Sequence, residues 1–557
     1  MLGETENQFS VTRVALSTGG AAKSKFLSVY QFFLSVSPPV VTFLSFLVMA
    51  VWMAASPNSP AQSPTADSFN PGCDNQVGSL AVQTDGKILA GGWFSVLGGR
   101  PCTNLGRLNP DGSFDTAFKA ATVDVGYCTA IQADGKVLTA GFVNVARFNA
   151  DGNLDAAFNA PIVAADVDCM PVQADGKILV SGDLSALCGQ TRSYIGRLNA
   201  DGTLDTAFNP GADLNMMALA LQPDGKILAG GAFTQLAGQS RACVGRLSAS
   251  GSLDTSFSSL VGGNVFALVV QADGKVLVGG SFVNVGGQSH TNIARLNSNG
   301  TVDSAFNAQA DNVVNGIVLQ ADGKILLSGY FSMLDGQSRS HIGRLNASGT
   351  LDTTFNPGAN DTVRALTVQA DGKVLVCGDF TTLGGQPRNH IGRLNSTDAA
   401  TQSLAFNGST LTWLRGGASP EVWRTTFDIC TNGADWISLG AGTRITGGWQ
   451  RTGLNFPTNA ILRARGFVCS ANWFVETTQV PTLPLAFARA NGTGAGSNGL
   501  FTARLTGTTG ASAVVESSPD LRAWTPWTTN TLPAGGCDLS LPIGTNRQQF
   551  FRARVSQ

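Results

Sequence analysis

The feature that most constrains this chain is a motif that returns at a fixed distance. Q-x-D-G-K begins at Gln83, Gln132, Gln173, Gln222, Gln271, Gln320 and Gln369, so successive copies stand 49, 41, 49, 49, 49 and 49 residues apart. A unit of this size stacks on its neighbours to complete a core, because it cannot bury an apolar face alone. Each unit contains four short apolar runs bounded by Gly, Asn and Asp, as in "VRALTVQ", "KVLVGGSF", "HIGRLN" and "TLDTTF". These are strand signals, and the unit requires no helix. The Asp-Gly step after Asp85, Asp134, Asp175, Asp224, Asp273, Asp322 and Asp371 suits both central positions of a type I′ turn. Strands one and two are therefore predicted to be adjacent and antiparallel. A second glycine turn, Asp111-Gly112 in the first unit, joins strands three and four.

Seven such meanders, apolar on both faces, predict an all-β fold: a seven-bladed β-propeller of four-stranded antiparallel blades. A straight β-solenoid is the alternative, and the ends of the repeat region favour the ring. The seventh unit loses its fourth-strand pattern after Asn395, while "ADSFNPG" at residues 66 to 72 resembles "LDTAFNPG" at 204 to 211. A ring can use that early fragment as the outer strand of its last blade; a rod gains nothing from it.

Outside the repeats the composition changes. No charge lies between Lys25 and Asp67, and "PPVVTFLSFLVMAVWMAA" is followed by "SPNSPAQSP". This is the layout of an export signal, cut near Ala55 or Ala61, with a retained anchor as its competitor. The expected domains are an export signal or anchor at 1–61, a propeller at 62–402 with the N-terminal strand closing the last blade, a β-sandwich-like module at 403–480 and a C-terminal β module at 481–557. Seven of the nine tryptophans lie from Trp413 onward, and Trp524 with Trp527 in "DLRAWTPW" forms the candidate aromatic platform. The ten cysteines all lie at or after Cys73, and none forms a C-x-x-C signature. Cys128 and Cys169 occupy one position in neighbouring units, either as small buried residues or as a bridge; Cys430 and Cys469 could pair within the next domain.

The chemistry available is restricted. With 36 basic and 37 acidic residues, no net field attracts nucleic acid, and no nucleic-acid partner is expected. The repeated lysines of D-G-K, the strand-three arginines beginning with Arg107 and the strand-four aspartates beginning with Asp115 read as scaffold, with Arg and Asp as diagonal partners across the hairpin. "NPDGSFD" at 109 to 115 resembles a calcium loop superficially, but the chain has no glutamate between Glu6 and Glu421 to supply a bidentate ligand. No phosphate loop, dinucleotide fingerprint, metal spacing or nucleophile–base set is present, so neither cofactor nor metal is expected. Function is sought where the symmetry fails. The second unit lacks the loop found elsewhere as "GGQSHTNI", which predicts a notch. The remaining loops place Arg192, Tyr194, Arg241, His290, Arg339, His341, Arg388 and His390 as a binding rim for carboxylated or hydroxyl-rich ligands.

The anchors Q-x-D-G-K, [IL]-[GA]-R-L-N and G-[ST]-[LFV]-D-x-x-F resemble the bacterial delta-60 repeat, a predicted β-propeller family of secreted and surface proteins. "TWLRGGASPEVWRTTF" and "VVESSPDLRAWTPWTTNTLPAGG" resemble β modules that follow such repeats in exported proteins of Verrucomicrobia-like bacteria. The resemblance implies no catalytic residues. It implies an extracellular, secreted or cell-surface protein without a common activity; the residues themselves suggest a binding or structural protein, with a surface glycan or a protein as its partner. A polysaccharide-active enzyme using propeller aspartates and a purely architectural surface protein are the alternatives, and a membrane is met only through an uncleaved N-terminal segment.

Overall fold

The computed structural model describes residues 63–119, 128–158, 160–396, 398–432, 434–455, 460–469 and 473–479, together with the strands beyond them and the single residue 533. The expected export or anchor segment at 1–61 lies outside the described residues. Among those described, no helix is long and apolar enough to cross a membrane.

The repeats form seven antiparallel blades. In the first, Val77–Val82 pairs with Ile88–Gly92, which pairs with Leu105–Leu108. The fourth strand is reduced to one bridge, Leu108 with Phe114, and the same bridge recurs as Leu198 with Leu204 and Leu345 with Leu351. The first strand of each blade packs on the first strand of the next, and Val363–Val368 of the seventh meets Val77–Val82 of the first. The circle is closed by the early fragment: Ala66 bridges Leu394, and the Asn395 amide donates to the Thr65 carbonyl at 2.9 Å.

The D-G-K turn is not the expected type I′ turn. Gly86 alone takes positive φ, at 81°, while Gly86 N–H donates to Gln83 O and Gln83 N–H to Lys87 O at 2.9 and 2.8 Å. This is a three-residue loop: a type I turn followed by a left-handed glycine. Asp85 keeps an ordinary backbone and accepts from the Lys87 amide at 3.1 Å, which removes any need for it to adopt positive φ.

One polar cluster repeats around the ring. Arg107 Nε donates to Asp115 at 2.7 Å, Lys87 Nζ donates to the same carboxylate at 2.9 Å, and the guanidinium lies 4.6 Å from the Phe118 ring centroid. Arg107 Nη1 then donates to Ala150 O in the next blade at 2.6 Å. The seventh blade lacks its own aspartate, and Asp67 replaces it. Arg393 Nε bonds Asp67 at 2.7 Å, stacks on Phe69 at 4.7 Å and reaches Pro110 O of the first blade at 2.8 Å. The closing seam is thus built like the other six. The lysines are half-buried ion-pair partners rather than free turn cations.

The expected notch is filled. Beside the short loop of the second blade, Asn144 and Val145 pair with Pro161 and Ala160 of the long strand Ala160–Cys169. Unpaired edge groups of Asn144–Phe148 thereby gain backbone partners.

Two four-stranded sheets follow. Ala400–Phe406, Leu411–Gly417, Gly448–Arg451 and Thr443–Ile445 form one; Ile437–Ala441, Val422–Cys430, Ile461–Val468 and Phe474–Gln479 form the other. Trp413 and Phe427 are fully buried between them. Two three-stranded sheets complete the chain. Trp527 lies in the strand Thr525–Thr531, but its side chain and all of Trp524 fall outside the described residues, and with them the expected aromatic platform. The cysteines stand as thiols, including the pair Cys430 and Cys469 for which a bridge was an open reading.

Replacing Asp67 with Asn should leave Arg393 buried without its counter-charge. The expected loss is about 3 kcal/mol, the cost of breaking a buried ion pair on one side. Urea unfolding of the full chain checks it, with the exposed Asp111→Asn as the control that should change little.

Candidate channel site

Around the axis, the first strands of six blades, the first and the third to seventh, carry a β-bulge among the described residues. In the first blade Val77 pairs with Gly92 and Ser79 with Gly91, so Gly78 has no partner of its own. The same irregularity leaves out Asp168, Met217, Phe266, Asn315 and Arg364 in the third to seventh blades. A bulge bends the strand and redirects one side chain, here toward the channel. The facing glycine is required sterically: a Cβ on Gly280 would lie 2.1 Å from Asn264 O. The five side chains from Asp168 to Arg364 line a central cavity of about 510 Å³.

These five residues differ from blade to blade, unlike the scaffold around them. On the third blade Asp166 lies opposite Asp183 across the strand pair, with Asp168 two residues along. Asp168 faces the cavity and is solvent-accessible, yet protein crowds its carboxyl. Burial and then the Asp166 charge raise its pKa to about 7, with Asp183 adding to the rise and a hydrogen bond from Asn215 opposing it. The Asp166 carboxyl is also raised, by burial and by Asp183, and its Oδ1 is buried without a hydrogen-bond partner. On the seventh blade Arg364 holds Asp379 through Nε at 3.0 Å and Nη2 at 2.9 Å. Burial opposes the Arg364 charge, but the Asp379 hydrogen bond and charge outweigh it and raise its pKa.

The residue after the facing glycine forms a second, outer ring: Trp93, Phe142, Asp183, Ala232, Ser281, Tyr330 and Asp379. Trp93 and Phe142 meet edge to face at 5.8 Å between centroids. Trp93 and Tyr330 stay 42% and 41% exposed, which makes them available to a ligand rather than to the core. Asp183 is exposed and Asp379 half-buried beside them.

The opposite, D-G-K end is covered by the sandwich. Ala321 N–H donates to Ser419 O at 2.7 Å, Glu421 N–H to Leu319 O at 3.0 Å and Trp473 Nε1 to Thr367 Oγ1 at 3.0 Å. Trp423, Arg424, Phe467 and Trp473 of the sandwich join the cavity lining.

The residues expected as a loop rim are placed differently. Arg192, His290, Arg339 and Arg388 are buried, and Arg241, Tyr194, His341 and His390 are partly buried. Each of the four arginines donates Nη1 to the carbonyl of the residue before it, as Arg192 does to Thr191 O at 2.8 Å. Arg388 also donates to the Asp67 carbonyl. Tyr194, His341 and His390 occupy one left-handed backbone position, with φ of 66°, 65° and 63°. They tie and shape their loops instead of projecting from them. Unlike the strand-four aspartates of the scaffold, Asp166, Asp168, Asp183 and Asp379 do not recur from unit to unit. Aligning the units on the glycine pair would have exposed them, because the neighbouring columns vary while everything around them repeats.

The raised Asp168 carboxyl has a sign consequence. The folded chain holds this proton more tightly than the unfolded chain, so stability falls as pH rises from 3.8 to about 7. Asp168→Asn should remove that part of the fall. Its melting temperature relative to wild type should therefore be higher at about pH 8 than at about pH 4, measured by thermal unfolding at both.

No curated protein matches this sequence. Among solved structures, it is similar to the extracellular domain of a protein assigned as hybrid two component system BT4673 from B. thetaiotaomicron, with 11% identity and a TM-score of 0.35 over 74% of this chain and 58% of that one. It is also similar to XC5397 from Xanthomonas campestris, described as a gluconolactonase, with 16% identity and a TM-score of 0.32 over 59% and 98% of the two chains. A third is the AfRom2 CNH domain, at 10% identity and a TM-score of 0.37 over 59% and 97%. The chain spans little more than half of the first of these. All three TM-scores lie below 0.5, and these likenesses carry no argument about activity. The repeats themselves match one family model, the domain of unknown function DUF5122 β-propeller, at residues 83–118, 132–158, 173–208, 222–257, 271–306, 320–355 and 369–398.

Proposed function

We propose that this is an exported bacterial protein, secreted or held at the cell surface, that binds carbohydrate at the channel mouth formed by the bulge ring and the outer ring. One observation carries the reading: exposed Trp93 and Tyr330 stand in the same ring as the carboxylates Asp183 and Asp379. Aromatic faces cover the C–H faces of sugar rings, and carboxylates accept hydrogen bonds from hydroxyls. Export rests on the uncharged apolar block before Asp67. The reading also takes up the likeness of the repeats to the delta-60 repeat and of the C-terminal modules to those of exported Verrucomicrobia-like proteins. A protein ligand at the same mouth and a purely architectural role are the competing outcomes.

A second reading rests on Asp168. A carboxylic acid with a pKa near 7 remains substantially protonated at neutral pH and can serve as a general acid, with an ionised neighbour in the second role. That reading makes the protein a polysaccharide-active enzyme.

A glycan array and a hydrolase screen on the full chain separate the two. Binding without turnover is expected, with Trp93→Ala weakening retention about tenfold, the loss typical of an aromatic anchor. Turnover abolished by Asp168→Asn supports the enzyme instead. Absence of both results removes the carbohydrate reading.

A further inference from the structure

The sandwich-covered end of the channel holds a cation without a counter-ion. Arg424, on the strand Val422–Cys430, reaches the cavity with Trp423, Phe467 and Trp473. Its guanidinium stacks 3.4 Å from the Phe467 ring centroid and 5.2 Å from that of Trp423. The Nε is buried and has no hydrogen-bond partner, and among the described residues no carboxylate stands within ion-pair distance of the group. Burial and then the like charge of Arg465 lower its pKa to about 10, which still leaves it charged at neutral pH. Arg465 has a carboxylate of its own, Glu476 at 3.0 Å, while Asp175 acts on Arg424 only through space. The repeat arginines, by contrast, each hold an aspartate, as Arg107 holds Asp115 at 2.7 Å. Arg424 is half-buried, and a partly desolvated cation without a partner carries a cost that an anion offsets.

The surroundings restrict what that anion can be. Leu268, Val270, Val318 and Leu366 line the cavity between the bulge ring and Arg424. A cavity of about 510 Å³ with an apolar stretch of wall between two polar ends has the size of a small-molecule site. At the other end Asp166, Asp168 and Asp183 repel an anionic head, so the head is directed toward Arg424. We infer that the channel binds an apolar molecule with a carboxylate head, the carboxylate paired with the Arg424 guanidinium and the apolar body lying along the blade strands. This site is separate from carbohydrate binding at the mouth, and its ligand contacts none of the outer-ring residues.

Calorimetric titration of the full chain with decanoate, decan-1-ol and decyltrimethylammonium tests the inference. Decanoate should bind one to one, at least tenfold more tightly than decan-1-ol, and the ammonium should bind least. Arg424→Met should erase the preference for decanoate over decan-1-ol, and Arg424→Lys should retain part of it. Melting temperatures identify a variant that fails to fold, in which case the wild-type ligand series and Arg424→Lys decide. Equal affinity for acid and alcohol, no saturable binding, or a folded Arg424→Met with undiminished preference overturns it. Trp93→Ala, which should weaken carbohydrate retention, should leave decanoate affinity unchanged, because Trp93 is absent from the cavity lining, so loss of carbohydrate binding and loss of this site are read independently.

Discussion

The structure depends on one repeated contact, the arginine of strand three. Its Nε is neutralised by an aspartate eight residues later, its plane covers a phenylalanine, and its Nη1 reaches a backbone carbonyl of the following blade. A single side chain therefore joins a hairpin to its own blade and that blade to the next. Because the group is nearly buried, it must be satisfied on every edge, which is why lysine also converges on the same carboxylate. The sixth blade shows what happens when the next turn departs from the pattern: Arg344 Nη1 bonds Asp398 at 2.9 Å, and Lys324 turns to Asp398 as well.

A ring held this way tolerates variation at positions the clamp does not use. The bulge in the first strand of the first and the third to seventh blades lies at such a position. Its geometry is preserved by the facing glycine and the register shift, while the bulged residue itself is free to be Asp168, Met217, Phe266, Asn315 or Arg364. The scaffold and the site are thus separated within the same strand. Repetition secures the ring, and one column per blade supplies chemistry.

The sandwich adds what the ring lacks, a covered end. Its strand from Val422 begins beside Leu319 and carries Trp423 and Arg424 to the cavity lining, Trp473 bonds Thr367, and Trp413 remains in the sandwich's own core. The channel consequently has an acidic, solvent-facing ring at one end and an aromatic floor with a cation at the other. That polarity comes from two modules and from neither alone.

Much of this was legible in the sequence. The period of Q-x-D-G-K announced seven units, the varied apolar runs announced strands, and the early fragment around Asp67 matched a fourth strand that the last unit lacked. Such features are local, and local geometry is what residue types and spacings report. Asp85 was misjudged because Asp-Gly fits either of two short hairpin loops, and the choice depends on the neighbouring pairing. Residues 160 and 161, paired against the second blade, could not be placed from spacing, because a strand's partner edge is decided by which neighbour leaves hydrogen bonds open. The loop arginines looked like ligand contacts because sequence does not distinguish a guanidinium facing solvent from one folded under its own loop. The amino-acid order by itself determined the repeat, the strands and the closure of the ring. Only the tertiary structure decided which side chains face the axis and what covers the far end, because both follow from bulges and docking surfaces that bring together residues more than a hundred positions apart.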